Sequence, residues 1–186
     1  MKKQSIFQKY ANYKVRLTLL VLLLCPIYSS AQSKLPNDSY ATILDANALM
    51  ISNPRKALTM LAPLKKTFIT ESSYENIEDV VVYQTILSAE NSIHSLNGNH
   101  QRIFANLRDF QRNIEPFLEN DDRYAQFYFL SKVYHLTYKA QEKGGMLIGN
   151  PRYRGALHGI LAEVRAFSFK DKKNGILVES MINQNL

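Results

Sequence analysis

The residues able to do chemistry are few and widely spaced. Four histidines, His94, His100, His135 and His158, are scattered over the second half of the chain. No two stand in the H-E-x-x-H arrangement that puts two zinc ligands and a general base on one helix face. Glu90 and His94 are four apart, so a helix brings them to one face. A metal site needs three or four ligands, and no others are near. The pair therefore reads as a solvated helix pair. The stretch KGGMLIGNPR, residues 143–152, is glycine-rich and runs into a helix start, where an anion can be held. A phosphate loop would place Gly-Lys-Ser/Thr there; here Gly-Asn-Pro stands instead, and Pro151 removes one N–H. No serine sits in a G-x-S-x-G elbow. Asp121 and Asp122 fall at a helix start, where carboxylates complement the dipole. No catalytic set, metal site or cofactor is expected.

The densest chemistry is aromatic. YAQFYFLSKVYHLTY, residues 124–138, carries six aromatic rings in fifteen residues. On a helix these rings cannot all share one face. Some belong to a core, and others can line a surface on which tyrosines stack and hydrogen-bond to an extended peptide. Tyr124, Tyr128, Tyr134 and Tyr138, with Arg152 and Arg154 from the following helix, form the candidate partner-binding surface. Gly155 and Gly159, one turn apart beside His158, are expected to let that helix pack closely on the aromatic one.

The elements that position these groups are helices. Tyr40, Ile43, Leu44, Ala48 and Ile51 recur at helical spacing after Ser39, a plausible N-cap. Asn53-Pro54 restarts the chain, and Ala57, Leu58, Leu61, Leu64 and Phe68 form the next stripe, with Pro63 expected to kink or end it. Ser72 and Glu75 have capping-box spacing and open a helix to about Asn97, with Ile77, Val80, Val81, Leu87, Ile93 and Leu96 inside. Gly98 stops it. A fourth helix carries Ile103, Leu107, Phe110, Ile114 and Phe117. Asn120 or Asp121 caps a fifth that runs to about Lys143 and Gly144-Gly145. Asn150-Pro151 opens a sixth, with Tyr153, Leu157, Ile160, Leu161, Val164 and Phe167. A turn at Asn174-Gly175 precedes an amphipathic tail from Ile176 to Ile182.

Three restarts look alike: SNPR at 52–55, GNHQ at 98–101 and GNPR at 149–152. Their asparagines, 46 and 51 residues apart, each lie between two amphipathic helices. The pattern predicts an all-α fold of three stacked antiparallel hairpins plus a C-terminal capping helix, because such hairpins cannot bury their apolar faces alone. A plain helical bundle is the alternative.

On these residues the chain resembles the tetratricopeptide repeat superfamily. Leu44 matches the family's buried leucine in its first helix, Ala57 its small residue in the second, and Leu61 and Leu64 the packing positions that follow. The second hairpin keeps Ile103, Leu107 and Phe110. Asp45 and Asn91 stand where the family has a small residue, and the period exceeds its usual length of about 34 residues. The resemblance implies an α-solenoid that binds a protein or peptide.

The N-terminus sets the compartment. Lys2, Lys3, Lys9, Lys14 and Arg16 precede an apolar run, RLTLLVLLLCPIYSSAQS at 16–33, that ends in Ser29-Ser30-Ala31. A basic region, a short apolar region and small residues at −3 and −1 read as a secretory signal peptide, residues 1–31, cut between Ala31 and Gln32. The run is too short for a span of about 20 residues. Membrane attachment through an uncut leader or a lipidated Cys25 is the alternative, although Leu24 occupies the place where lipoprotein signals have a small residue. A short N-terminus, 32–38, would lead into a helical domain at 39–186.

The leader holds 5 of the 23 basic residues and none of the 16 acidic ones, so its removal lowers the net charge from +7 to +2. The remaining surface carries no footprint for nucleic acid. The single cysteine, Cys25, leaves too, which excludes disulfides, thiol catalysis and cysteine-ligated zinc. The sequence thus points to an exported, periplasmic or secreted, non-catalytic module that binds a protein or peptide partner, with no membrane span after the leader. The alternatives are the periplasmic sensor region of a truncated or partner-dependent signalling protein, and a bundle with an envelope-associated role.

Overall fold

The computed structural model describes residues 37–71, 73–142, 150–184 and 186. The leader, its cleavage site, Cys25, Ser72 and Gly144-Gly145 lie outside them. Seven helices follow one another: α1 (Asn37–Leu49), α2 (Pro54–Glu71), α3 (Ile77–Leu96), α4 (His100–Ile114), α5 (Asp122–Glu142), α6 (Pro151–Ala166) and α7 (Lys172–Asn183). A single 3-10 turn, Glu115–Phe117, links α4 to α5, and no strand occurs among the described residues.

The asparagine turns start two helices through their side chains. Asn53 Oδ1 accepts from the Lys56 N–H at 3.1 Å, and Asn150 Oδ1 accepts from Arg152 and Tyr153, each with proline at the first helical position. Asn99 makes no such bond. It completes the stop of α3 instead: its N–H reaches the His94 carbonyl at 2.8 Å and the Gly98 N–H reaches Ser95 at 3.1 Å. Gly98 sits at φ 68°, the left-handed conformation such a stop requires.

Several local expectations are corrected. The N-cap of α3 is Asn76, whose side chain accepts from the Glu78 N–H, so α3 starts later than the Ser72-Glu75 spacing suggests. Pro63 does not end α2, because buried Leu61 and Phe68 anchor the helix on both sides of it. Val80 and Val81 are buried helical residues as expected, and Tyr83 is buried with them. Asn174-Gly175 makes no turn; it lies within α7, which Asp171 caps. A Cβ on Gly175 would meet the Phe169 ring at 2.9 Å, so glycine is what lets α7 approach that ring. Leu44, Ile51 and Leu96, expected inside, are exposed, and so is Ile176 at the start of the tail.

Short connections make successive helices antiparallel. Each helix packs on the next, and α1 with α3, α3 with α5 and α5 with α7 also touch. The Cα traces of α1 and α7, and those of α2 and α4, nowhere come within 8 Å of each other. Three hairpins (α1–α2, α3–α4, α5–α6) therefore stack in a row, with α7 laid over the last. Odd-numbered helices form one continuous file and even-numbered helices a second, more open one. This is an open stack and not a closed bundle.

The core follows the file in three clusters. Ile43, Ala46, Ala57, Leu61 and Ile93 join the first hairpin to α3. Phe68, Tyr83, Phe110, Tyr124 and Phe127 join α2, α3, α4 and α5. Phe129, Val133, Leu157, Leu161 and Ile182 join α5, α6 and α7. Because α5 feeds two clusters, it is buried or half-buried nearly all round, which accounts for its crowd of aromatic residues. Phe68 stacks on Tyr83 at 4.2 Å between ring centroids, a pairing that adds about 0.5–1.5 kcal/mol beyond the area buried.

Candidate functional site

The aromatic surface expected on α5 does not assemble as one patch. Tyr124 is 1% exposed, and its hydroxyl donates to the Tyr74 carbonyl at 2.8 Å. It belongs to the core. Tyr128 is half-buried, with the Lys132 ammonium 5.1 Å from its ring centre. Tyr134 and Tyr138 are half-buried as well, while Arg152 and Arg154 are exposed on α6. Gly155 and Gly159 are exposed too, and Cβ atoms added there would meet nothing within 4 Å. They do not hold α6 against α5. α6 packs instead through Tyr153, Leu157, Ile160, Leu161 and Val164.

The histidines are dispersed. His135 lies flat against Phe104 at 5.1 Å, and its pKa is lowered, by burial first and then by Lys139 and Arg108. His158 is exposed. Among the described residues no three His, Cys, Asp or Glu side chains come together in a way that would hold a metal.

One concave feature among the described residues is a groove between α2 and α4, whose backbones stand apart, floored by α3. It encloses about 490 Å³. Leu58, Leu61, Ala62 and Ile69 supply its apolar wall from α2, Glu90 and His94 its floor, and Lys65, Lys66 and Arg102 its positive charge. From Leu58 to Ile69 the wall runs about 16 Å at 1.5 Å per residue, the span of roughly five extended residues.

A polar seam holds the floor in place. Lys65 Nζ donates to Glu90 Oε2 at 2.7 Å and to Asn106 Oδ1 at 3.1 Å, reaching across from α2 to α3 and α4. Asn106 Nδ2 in turn donates to Asn91 Oδ1 at 2.9 Å. Asn91, where the tetratricopeptide pattern has a small residue, is thus buried because it ties α3 to α4. His94 Nε2 lies 3.6 Å from Glu90 Oε1. Burial alone would push the Glu90 carboxyl up; His94 and Lys65 outweigh it and hold it below its ordinary value. Glu90 and His94 therefore do share a face, as their spacing predicts, but Lys65 occupies the carboxylate and the pair is no solvated surface feature. Lys66 and Arg102 are exposed, and no ion pair holds either among the described residues.

The seam's strength is measurable. In a double-mutant cycle of Lys65→Met and Glu90→Gln, the coupling is expected to be about 1 kcal/mol, at the upper end of the range for exposed pairs because both groups are mostly covered. Urea unfolding of the four proteins measures it. A coupling near zero would mean the pair does not brace α2 against α3.

Sequence reasoning missed this groove because its charges come from three helices. One local signal was present: Ile69 is an apolar residue off the buried stripe that ends at Phe68, and it remains exposed. The chain matches no family model, no curated protein and no solved structure.

Proposed function

We propose that this chain is an exported, non-catalytic binding module of stacked hairpins, tetratricopeptide-like in plan. It holds an extended segment of a partner protein, carrying acidic and apolar residues, in the groove between α2 and α4. The groove carries this reading: an open slot with one apolar wall and two unpaired cations suits a strand-like peptide whose carboxylates meet Lys66 and Arg102 while its apolar side chains meet Leu58 and Ile69. Export rests on the leader, and the module's plan on the stacking of three hairpins. Glu90 does not oppose such a partner, since Lys65 already neutralises it.

Fluorescence anisotropy with two synthetic peptides tests the proposal, one alternating leucine with glutamate and one alternating leucine with lysine. The acidic peptide is expected to bind and the basic one not. The double variant Lys66→Glu/Arg102→Glu should weaken the acidic peptide at least about tenfold, equivalent to about 1.4 kcal/mol, and added salt should weaken wild-type binding. Equal binding of both peptides, or binding indifferent to the two substitutions, would overturn it.

A further inference from the structure

The two ends of the stack are both apolar, and they carry opposite charge. On α1, the outward side bears Ala41, Leu44 and Ala48, spaced three and four apart, and Ile51 follows in the turn. Leu44 is 51% exposed and Ile51 76%. Beside them stand Asp38 and Asp45, both exposed, and α1 has no basic residue at all. On α7, the outward side bears Ile176, 66% exposed, and Leu177, 48% exposed, next to exposed Lys172 and Lys173 at the helix start. The nearby carboxylates there are engaged: Asp171 caps α7 by accepting from the Lys173 N–H, and Glu179 accepts from Arg165.

The repeat dictates what fits such faces. In the file of odd-numbered helices, α3 seats on α1 and α2, α5 on α3 and α4, and α7 on α5 and α6. α7 is thus the opening helix of a further hairpin, and its outer side is the place where the next odd-numbered helix would lie. α1 is the odd-numbered helix whose outer side has no neighbour among the described elements. Odd-numbered helices run parallel, because each is separated from the next by one antiparallel helix. Laid parallel on α7, α1 brings Asp38, near its own start, to Lys172 and Lys173 at the start of α7. The same register sets Ala41 and Leu44 against Ile176 and Leu177.

We propose that these faces are the two halves of a head-to-tail interface, through which a second copy of this chain continues the stack. The contact is heterologous, so it leaves one α1 face and one α7 face open and permits chains longer than two. Apolar burial supplies the attraction, and the opposite charges fix direction and register.

Sedimentation velocity over a range of concentrations tests it, on protein expressed from the full chain. Mass spectrometry reads whether residues 1–31 are still attached. Wild-type protein is expected to gain mass with concentration, past the dimer. Leu44→Arg, which puts a cation opposite the lysines, and Ile176→Glu, which puts an anion opposite the aspartates, should each be monomeric. Circular dichroism should show both folded, since both positions are exposed. Each variant retains one intact face, so their equimolar mixture should associate to at least twice the monomer mass where neither variant does alone. Three results would overturn the proposal: wild-type protein monomeric at every concentration, with or without the leader; either single variant still associating, which would mean a symmetric contact; or a mixture that stays monomeric.

Discussion

Replacing Tyr124 by Ala is expected to cost about 3–5 kcal/mol, the range for removing a large aromatic side chain from a packed core. The ring lies in the cluster that joins α2, α3, α4 and α5, 5.7 Å from the Phe117 ring between centroids. No neighbouring element can collapse into the hole without disturbing two hairpins. At roughly 2–4 °C per kcal/mol for a chain of this size, the melting temperature should fall by about 6–20 °C. Tyr124→Phe keeps the ring and loses the hydrogen bond to the Tyr74 carbonyl, a loss of about 0.5–1.5 kcal/mol. Thermal unfolding of the two variants separates packing from hydrogen bonding. A Tyr124→Ala protein as stable as wild type would return this residue to the partner surface where sequence reasoning had placed it.

Asp122→Ala is expected to cost about 2–4 kcal/mol, because two backbone donors lose a charged acceptor in a buried place. Asp122 is 7% exposed. Its carboxylate accepts from the N–H groups of Lys170 and Asp171, both at 2.8 Å, and from Asn174 Nδ2 at 2.9 Å. It thereby fastens the segment before α7, and the start of α7, to the start of α5. Hydrogen exchange should report the loss most strongly in 167–183, since α7 docks through this link and the α5–α6–α7 cluster. Exchange raised equally in α1 and α2 would contradict that assignment. Asp122→Asn should be nearly as damaging, because its amide group turns a donor toward one of the donors it must satisfy.

The same carboxylate sets an acid limit. Burial would raise the Asp122 pKa, but the hydrogen bonds from Asn174, Asp171 and Lys170 outweigh it and hold it below the ordinary value of 3.8. Burial likewise opposes, and Arg123 outweighs it in lowering, the pKa of Asp121. Arg123 binds both Asp121 and Glu78. Glu90 is lowered below 4.5 by its partners in the seam. A depressed folded-state pKa contributes stability that is fully present above the unfolded value and disappears as pH falls through the folded one. Urea midpoints should therefore hold steady above about pH 7, slip modestly from about pH 6.5 because the lowered pKa of His135 lets the unfolded chain take up that proton first, drop further from about pH 5 and fall steeply below pH 4. In Asp122→Ala the drop should be shallower, because part of the loss has already been taken.

The helical grammar of this chain was legible residue by residue. Gly98 stops α3, Asn150-Pro151 starts α6, and the stripes of α2, α4 and α6 bury most of the positions their 3.6-residue period selects. These features depend on neighbours within one or two turns, so the local sequence contains the cause. Failures fall where the cause is distant. Leu44 fits a stripe, yet Ile43 and Ala46 take the contact with α2 and α3 and leave Leu44 outside. Periodicity gives the width of an apolar face but not which edge meets a neighbour. Asp122 reads locally as a dipole complement, while its partners lie some fifty residues on. Gly155 and Gly159 invite a close-packing reading, but among the described residues that face of α6 has no neighbour within 4 Å, and a close approach is made instead at Gly175. The groove was the hardest feature to foresee. It exists because α2 and α4 stand apart, and no single helix records the distance between two others.

The groove is the proposed place where a partner is held, and site-specific photo-crosslinking in intact cells tests that most directly. A photoreactive residue at Ile69 looks into the groove; one at Ala162, exposed on α6, serves as the control. The expected result is an adduct through Ile69 whose partner peptide, sequenced by mass spectrometry, carries acidic and apolar residues. That adduct should be lost in Lys66→Glu/Arg102→Glu and absent at Ala162. No adduct at Ile69, or the same adduct from both positions, would contradict the central claim.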